Sequence, residues 1–282
     1  WNGSGVELGS GESSEPRADL AAAIHRLKSH VPPRVAPGSW PAARHPRRMI
    51  ALGGCVQPGA MPQINAAAAR VLDRLGVSLI EAPGARCCGA VRYHLNRQAD
   101  GLDDMRRTID AWWPLIEDGC EAIVMTASGC GATVREYGHL LHDDPDYAEK
   151  AAQVSTLCRD LSEVISELDL GPLATETRTG RVAFHPPCTL QHAQKKTDLV
   201  EPILAEVGYT LTRVPDKHLC CGSAGTYSML QPDFSNAFKQ DKVAALLSDA
   251  PSVIASANIG CLMHIQSGTD VPVKHWIELL DR

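Results

Sequence analysis

Apolar residues in this chain alternate between short continuous runs and longer stretches with helical spacing. Met49-Ile50-Ala51-Leu52, Val77-Ser78-Leu79-Ile80 and Ala122-Ile123-Val124-Met125 read as buried strands. Between and after them, residues 63–75, 96–118 and 146–168 have the spacing of amphipathic helices, the first Ala-rich and stopped at Gly76. The second half repeats the order. Val182-Ala183-Phe184, Tyr209-Thr210-Leu211-Thr212 and Val253-Ile254-Ala255-Ser256 predict strands, with helices over about 195–207 and 233–248. Strands alternating with helices imply parallel sheets joined by right-handed crossovers. The pattern predicts an α/β chain of two similar domains, each a small parallel sheet flanked by helices, related by internal duplication.

The stretch ahead of the first strand has a different character. Residues 2–14 are rich in Gly and Ser and read as a flexible leader. Residues 19–30 predict a short helix, since Leu20, Ile24 and Leu27 share a face. Pro32, Pro33, Pro37 and Pro41 follow as an extended connector, closed by Arg44, Arg47 and Arg48. That basic cluster is either a solvated linker or a docking point for another subunit. The division expected is 1–45 for leader and linker, 46–172 for the first domain and 173–282 for the second.

The cysteines sharpen the duplication. Cys55, the pair Cys87-Cys88 and Cys130 form one set; Cys188, the pair Cys220-Cys221 and Cys261 form another. In both sets the lone cysteine precedes the pair by 32 positions, and the last follows the pair by 42 and 40 positions. Each of the eight lies just after a predicted strand. Ligands of open parallel sheets collect at the carboxyl ends of strands, so each quartet should converge at one sheet rim despite its spread along the chain. Helices starting there direct backbone N–H groups at the site and favour negative charge. The neighbouring glycines (Gly54, Gly89, Gly129, Gly222, Gly260) would let backbone approach a bulky group.

Composition narrows the chemistry. The chain has 282 residues, 44% of them hydrophobic, enough for a packed core throughout. Ten cysteines suit a disulfide framework only in small secreted domains that lack such a core, so cytosolic thiolate ligands are expected instead. A net charge of −6 with intermixed signs argues against a nucleic-acid surface. No apolar run reaches the roughly 18 residues that span a bilayer. The expected location is cytoplasmic, at most peripheral on the inner face of the cell membrane.

Four thiols per set suit tetrahedral zinc or a four-iron cluster equally in ligand count. Structural zinc commonly uses close CxxC knuckles, whereas adjacent cysteines plus two remote ones suit a larger cluster with several irons, so spacing leans toward iron–sulfur. Cys120 and Cys158 have no counterpart in the other half and read as spare buried thiols. Trp112, Trp113 and Trp276 read as core or interface packing. Arg86 and Lys217, beside the cysteine pairs, are either solvated or offset the charge of a reduced cluster.

Both Cys-Cys-Gly segments resemble the cysteine-rich domain shared by heterodisulfide reductase, anaerobic glycerol-3-phosphate dehydrogenase, lactate-utilisation proteins and glycolate oxidase. The stretch from Asn65 to Gly76, Cys87-Cys88-Gly89-Ala90-Val91 and Thr126-Ala127-Ser128-Gly129-Cys130-Gly131-Ala132 resemble the glycolate oxidase iron–sulfur subunit more specifically. So do the stretches from Cys188 to Gln194 and from His218 to Tyr227. The resemblance covers about residues 45–282. It implies an electron-transfer subunit that binds no glycolate itself and carries one or two iron–sulfur clusters of the 4Fe-4S type. FAD would reside only on a partner flavoprotein subunit, with electrons passing toward a quinone pool. Cys55, Cys87, Cys88, Cys130, Cys188, Cys220, Cys221 and Cys261 would be the metal ligands.

The sequence departs from the family pattern at two points. The intact family subunit also has a ferredoxin-like part with two CxxCxxCxxxCP runs, absent from these 282 residues. Either this is a fragment or that function is missing from it. The heterodisulfide reductase relatives close each motif with CxxC, whereas here the last positions are Thr133 and His264. Thr133 is poorly suited to bind iron; His264 can. With His185 and His218 also near its thiols, the second site is expected to be the better equipped, these histidines contacting the cofactor as ligands or as donors to its sulfurs. Two other functions compete with electron transfer: a thiol–disulfide reductase of the heterodisulfide type, and a zinc-bearing scaffold subunit.

Overall fold

The computed structural model describes residues 35–174 and 178–281. The Gly/Ser leader and the helix expected over 19–30 lie outside the described residues. In chain order the elements are β1 (Arg47–Ala51), α1 (Gln63–Arg74), β2 (Val77–Glu81), α2 (Gln98–Glu117), β3 (Ile123–Met125), α3 (Ser128–Arg135), α4 (Ala148–Leu157), β4 (Cys158–Asp160) and α5 (Leu161–Ser166). The second half continues with β5 (Arg181–His185), α6 (Val200–Glu206), β6 (Thr210–Leu211), α7 (Pro232–Leu247), β7 (Val253–Ser256), α8 (Ile259–Gln266) and β8 (Val273–His275). Shorter helical turns lie between them.

All strand pairs are parallel, in two four-stranded sheets of order β2-β1-β3-β4 and β6-β5-β7-β8. The identical order is the structural form of the duplication. Each sheet reverses strand order beside its first strand, which opens a crevice at the carboxyl rim where three cysteine-bearing loops meet.

Two expectations are corrected. The single helix expected over 146–168 is broken by β4, because Cys158 and Arg159 pair with Ile123 and Val124 at the sheet edge. Asp160 then starts α5 with a capping box: its carboxylate accepts from Ser162 N at 2.9 Å and Glu163 accepts from Asp160 N at 2.9 Å. The helix expected from 195 begins only at Val200, since Lys195 and Asp198 adopt left-handed backbone (φ 55° and 58°) in the preceding loop. The fourth strand of the second half, β8, escaped notice for the same reason as β4: it has three residues, one of them an exposed lysine.

Strand pleating distributes β1 over two cores. Met49 and Ala51 face a core that continues into the second half through Val182, Phe184, Ile203 and Trp276. Ile50 and Leu52 face a separate core with Met105, Ile109 and Trp112. The alanine run of α1 explains how the halves come close: Ala67, Ala68 and Ala69 are buried in the shared core, and α1 packs against the turn Trp276–Leu279. At the rim of that contact, Arg70 forms a bidentate pair with Asp281 (2.9 and 2.5 Å) and Gln63 donates to Glu278 (3.2 Å). Trp112 and Trp276 are fully buried, as packing residues. Trp113 is half-buried under the Lys150 ammonium, 5.1 Å from the ring centre.

The basic cluster before β1 is folded back on the chain. Arg44 and His45 bind Asp73, Arg47 binds Glu121 and Arg48 binds Asp118. Each of these arginines has an intramolecular carboxylate partner. Among the described residues, no helix is long and apolar enough to cross a membrane.

Candidate metal centre

Each sheet rim brings its four cysteines together. Cys55 begins the turn Val56–Ala60, Cys87 and Cys88 lie in the loop after β2, and Cys130 is in the first turn of α3. The Cys55 loop is fixed by Asn65, whose amide donates to the carbonyls of Leu52 (3.2 Å) and Gly53 (3.1 Å). The pair is pinned through its backbone: Thr108 donates to Cys87 O (3.0 Å) and the buried Tyr137 hydroxyl to Cys88 O (2.9 Å). The sulfurs form a string of neighbours, Cys55 to Cys87 to Cys88 to Cys130.

The second quartet has the same plan. Cys188 follows β5, Cys220 and Cys221 lie in the loop after β6, and Cys261 is in the first turn of α8. The sulfurs again run in order, Cys188 to Cys220 to Cys221 to Cys261. Cys188 and Cys220 are half-buried; Cys221 and Cys261 are buried.

Glycine after each pair is a steric requirement. Gly89 and Gly222 have φ of 81° and 89°, and a Cβ on them would lie 2.5 Å from Gly101 O and 2.4 Å from Ser235 O. Both the left-handed backbone and the missing side chain let the start of the following long helix close down on the cysteine loop.

Protonation follows the same alternation in both halves. Hydrogen bonds from the flanking thiols hold Cys87 and Cys220 down to about 2. Their neighbours Cys55, Cys88, Cys188 and Cys221 are pushed up, chiefly by those same sulfur contacts, with burial adding to the effect. Cys130 and Cys261 are lowered by hydrogen bonds from Cys88 and Cys221. Four thiols in one string cannot all ionise without a cation beside them. A group that binds four thiolates must therefore bring positive charge with it.

The surroundings differ. The His185 ring is fully buried, with neither nitrogen bonded to a protein N or O. A ring nitrogen lies with the sulfurs of Cys221 and Cys261 in a trio of ligand atoms all within 4.8 Å of one another. The equivalent position in the first half is Leu52, which is buried. Lys242, 2% exposed, donates to Asp216 O at 2.9 Å. Burial pushes its ammonium down, opposed by the charges of Cys221, Cys188 and Cys220. His264 faces Ser235, with Nε2 3.1 Å from its hydroxyl and 3.3 Å from its carbonyl, and burial pushes it down. Ser235 in turn donates to Gly222 O at 2.8 Å, so His264 reaches the cysteine loop through a relay. The His218 side chain is exposed, and its carbonyl lies 3.3 Å from His192 Nε2.

The remaining cysteines are placed apart from the strings. Cys158 is buried, its thiol pushed up to about 12 by burial, and it donates to Gly131 O at 3.7 Å. Cys120 is also buried, and desolvation raises it. Sequence reasoning missed Lys242, Ser235 and Asn258. Lys242 looks like any lysine of an amphipathic helix. Asn258 stands where the first half has Ala127, three residues before the last cysteine, and that contrast was available in the sequence.

The same two rims are where a family comparison falls. The sequence profile of the CCG family, described as Cysteine-rich domain, matches residues 51–135 and again 182–266. This chain belongs to the cysteine-rich CCG-domain family. Each repeat of the CCG domain holds one complete thiol string. Among curated CCG-type relatives, the glycolate oxidase iron–sulfur subunit of Escherichia coli (strain K12) is 54% identical over 242 residues, covering 86% of this chain and 59% of that protein. A probable glycolate oxidase iron–sulfur subunit of Bacillus subtilis (strain 168) is 29% identical, covering 84% of this chain and 53% of that one. Lactate utilization protein A of Bacillus velezensis is 30% identical and is covered over 92% of its length. The chain thus spans between half and three-fifths of the two glycolate oxidase subunits. Among solved structures, a hypothetical protein from Helicobacter pylori shares the fold, with a TM-score of 0.57 at 10% identity, over 96% of this chain and 54% of that one.

Proposed function

We propose that this chain is an iron–sulfur electron-transfer subunit of a glycolate-oxidising complex, holding a cluster at one or both thiol strings. The observation that carries the reading is the pair of equivalent four-thiol strings, one at each sheet rim, in a chain 54% identical to a glycolate oxidase iron–sulfur subunit. Cys55, Cys87, Cys88 and Cys130 would hold the first group, and Cys188, Cys220, Cys221 and Cys261 the second. The donor set fits. A single tetrahedral zinc needs every sulfur pair at roughly 3.8 Å, given Zn–S bonds of about 2.3 Å. Among the described residues, the trio whose ligand atoms all lie within 4.8 Å is His185, Cys221 and Cys261, with no complete quartet of sulfurs among them. A string of sulfurs suits several irons better than one ion.

A bound cluster supplies one-electron oxidation and reduction. The protein supplies the rest. Gly89 and Gly222 let the start of the following long helix pack against each cysteine loop. His185 and Lys242 place donors and positive charge beside the second string, while at the first string Leu52 stands in the place of His185 and Arg92 supplies the nearby charge. In the proposed complex, FAD and glycolate belong to a flavoprotein partner, and electrons leave toward a quinone through this chain and its neighbours. All ten cysteines are free of disulfides, as thiolate ligands in the cytoplasm require.

The test is iron, sulfide and zinc analysis of the chain purified without oxygen. Brown protein with iron and inorganic sulfide in near-equal amounts, bleached by reductant, is expected. Colourless protein with stoichiometric zinc would replace the reading with that of a scaffold subunit.

A further inference from the structure

The two thiol strings meet across one side chain. Asn258 is the residue before α8, in extended backbone (φ −151°, ψ 127°), where asparagine ordinarily caps its own helix. It does not: its side-chain oxygen accepts from no backbone N–H in the first turn of α8. Its Oδ1 instead accepts from Gly129 N at 3.4 Å, in the first turn of α3 in the other half, and its Nδ2 donates to Cys261 Sγ at 3.8 Å. The residue before α3 is Ala127, which has no side-chain acceptor, so the first turn of α3 takes its cap from the other half. The adjoining contact completes this arrangement: Ser128 N donates to Ala257 O at 3.1 Å, and the Ser128 hydroxyl lies 2.8 Å from that of Thr189, the residue after Cys188. Gly129 is the residue before Cys130.

We propose that Asn258 is a positioning residue that couples the two centres, its amide oxygen fixing the helix turn that carries Cys130 while its amide nitrogen bonds the sulfur of Cys261. The inference rests on the proposed function, since it needs a redox group at each string. A donor to a ligand sulfur stabilises the more negative, reduced state and so raises the potential of its own centre. The amide is one rigid plane. A stronger pull on its N–H by a reduced second centre polarises the oxygen bound beside Cys130, so charge at one string is felt at the other.

Two substitutions separate the arms. Asn258→Asp keeps an acceptor for Gly129 N and loses the donor to Cys261; Asn258→Ala loses both. The experiment is a redox titration of the anaerobically purified 282-residue chain, followed by visible absorption and electron paramagnetic resonance, with iron content measured for each variant. In Asn258→Asp the second centre should be harder to reduce. Its reduced-to-oxidised ratio at fixed potential should fall by up to about tenfold, the size of one hydrogen bond to a charged group, while the first centre's line shape holds. In Asn258→Ala the same loss should be joined by a changed line shape at the first centre, with iron content retained. Unchanged potentials in both variants at full iron content overturn the proposal, and so does an Asn258→Ala protein altered at the second centre alone. Wild-type chain that carries no cluster would instead remove the function on which the proposal rests.

Discussion

The two thiol strings are built to one plan and furnished differently. Strand order, cysteine spacing, the obligatory glycine and the alternation of raised and lowered thiols along each string coincide. What surrounds them does not: Leu52, Thr133 and Ala127 in the first half stand where His185, His264 and Asn258 stand in the second, and the buried Lys242 has its charge beside the second string. In the proposed function, ligation would be a property of the repeat and tuning a property of each copy. Donors and a buried cation favour added negative charge, so the second centre should be the easier to reduce.

The largest expected effect tests whether ligation is local to each copy. Cys88→Ser should abolish the centre of the first string and spare the second, and Cys221→Ser should do the reverse, each read as iron content and as loss of one spectral component. Loss of all iron from either variant would show that the strings assemble as one unit.

Next comes the glycine. Gly89→Ala and Gly222→Ala should each lower unfolding stability by about 2–4 kcal/mol, from left-handed backbone strain and the clash with a backbone carbonyl. Denaturant unfolding measures it. A mild effect at one glycine only would mean that the loops are not equivalent.

The fourth strands provide a subtler contrast. Asp160 and His275 occupy matching places, each the final residue of the last strand of its sheet and each in a capping box. Burial pushes Asp160 up to about 6 and His275 down to about 4. The signs oppose. Between pH 4 and 6 the native state binds more protons than the unfolded chain at Asp160, so stability falls as pH rises through that window. At His275 the unfolded chain binds more below pH 6.5, so stability falls as pH drops toward 4. Protonation there would also remove the Nδ1 acceptor used by Ile277 N, 3.2 Å away, while Nε2–H already donates to Thr126 O at 2.8 Å. Each contribution is about 3 kcal/mol by the size of its shift, and the two nearly cancel. Asp160→Asn should expose a steeper loss toward acid and His275→Gln a steeper loss toward neutrality, both read from unfolding midpoints across pH 4–7. Matching profiles in the two variants would refute the opposition.

The smallest effect belongs to the basic cluster. Arg47→Gln breaks an exposed pair with Glu121 and should leave the unfolding midpoint unchanged within error. It should also leave both centres untouched, since the cluster lies at the amino end of β1, away from the cysteine rim.

Six of the eight strands and the convergence of the cysteines were legible in the sequence, because apolar runs and a repeated spacing survive without coordinates. β4 and β8 were not. Cys158-Arg159-Asp160 and Val273-Lys274-His275 are three residues each with polar members, and β4 sits inside a stretch whose period is helical. The candidate site was legible in the meeting of its cysteines and partly in its histidines. His185 reaches the sulfurs, His264 reaches only the cysteine loop's Gly222 carbonyl through Ser235, and His218 is exposed. Nearness along the chain told which histidines lie beside the cysteine loops but not which way their rings turn. Lys242 was hidden, because burial of a lysine depends on the carbonyls that α7 happens to meet.

The alanine face of α1 has a consequence for how far the copies can diverge. Ala67 and Ala68 act as a shim of methyl thickness between one repeat and the turn that ends the other. A larger side chain there would push the two repeats apart, and with them the two cysteine rims. The spacing of the two rims is therefore set at a spot that touches neither.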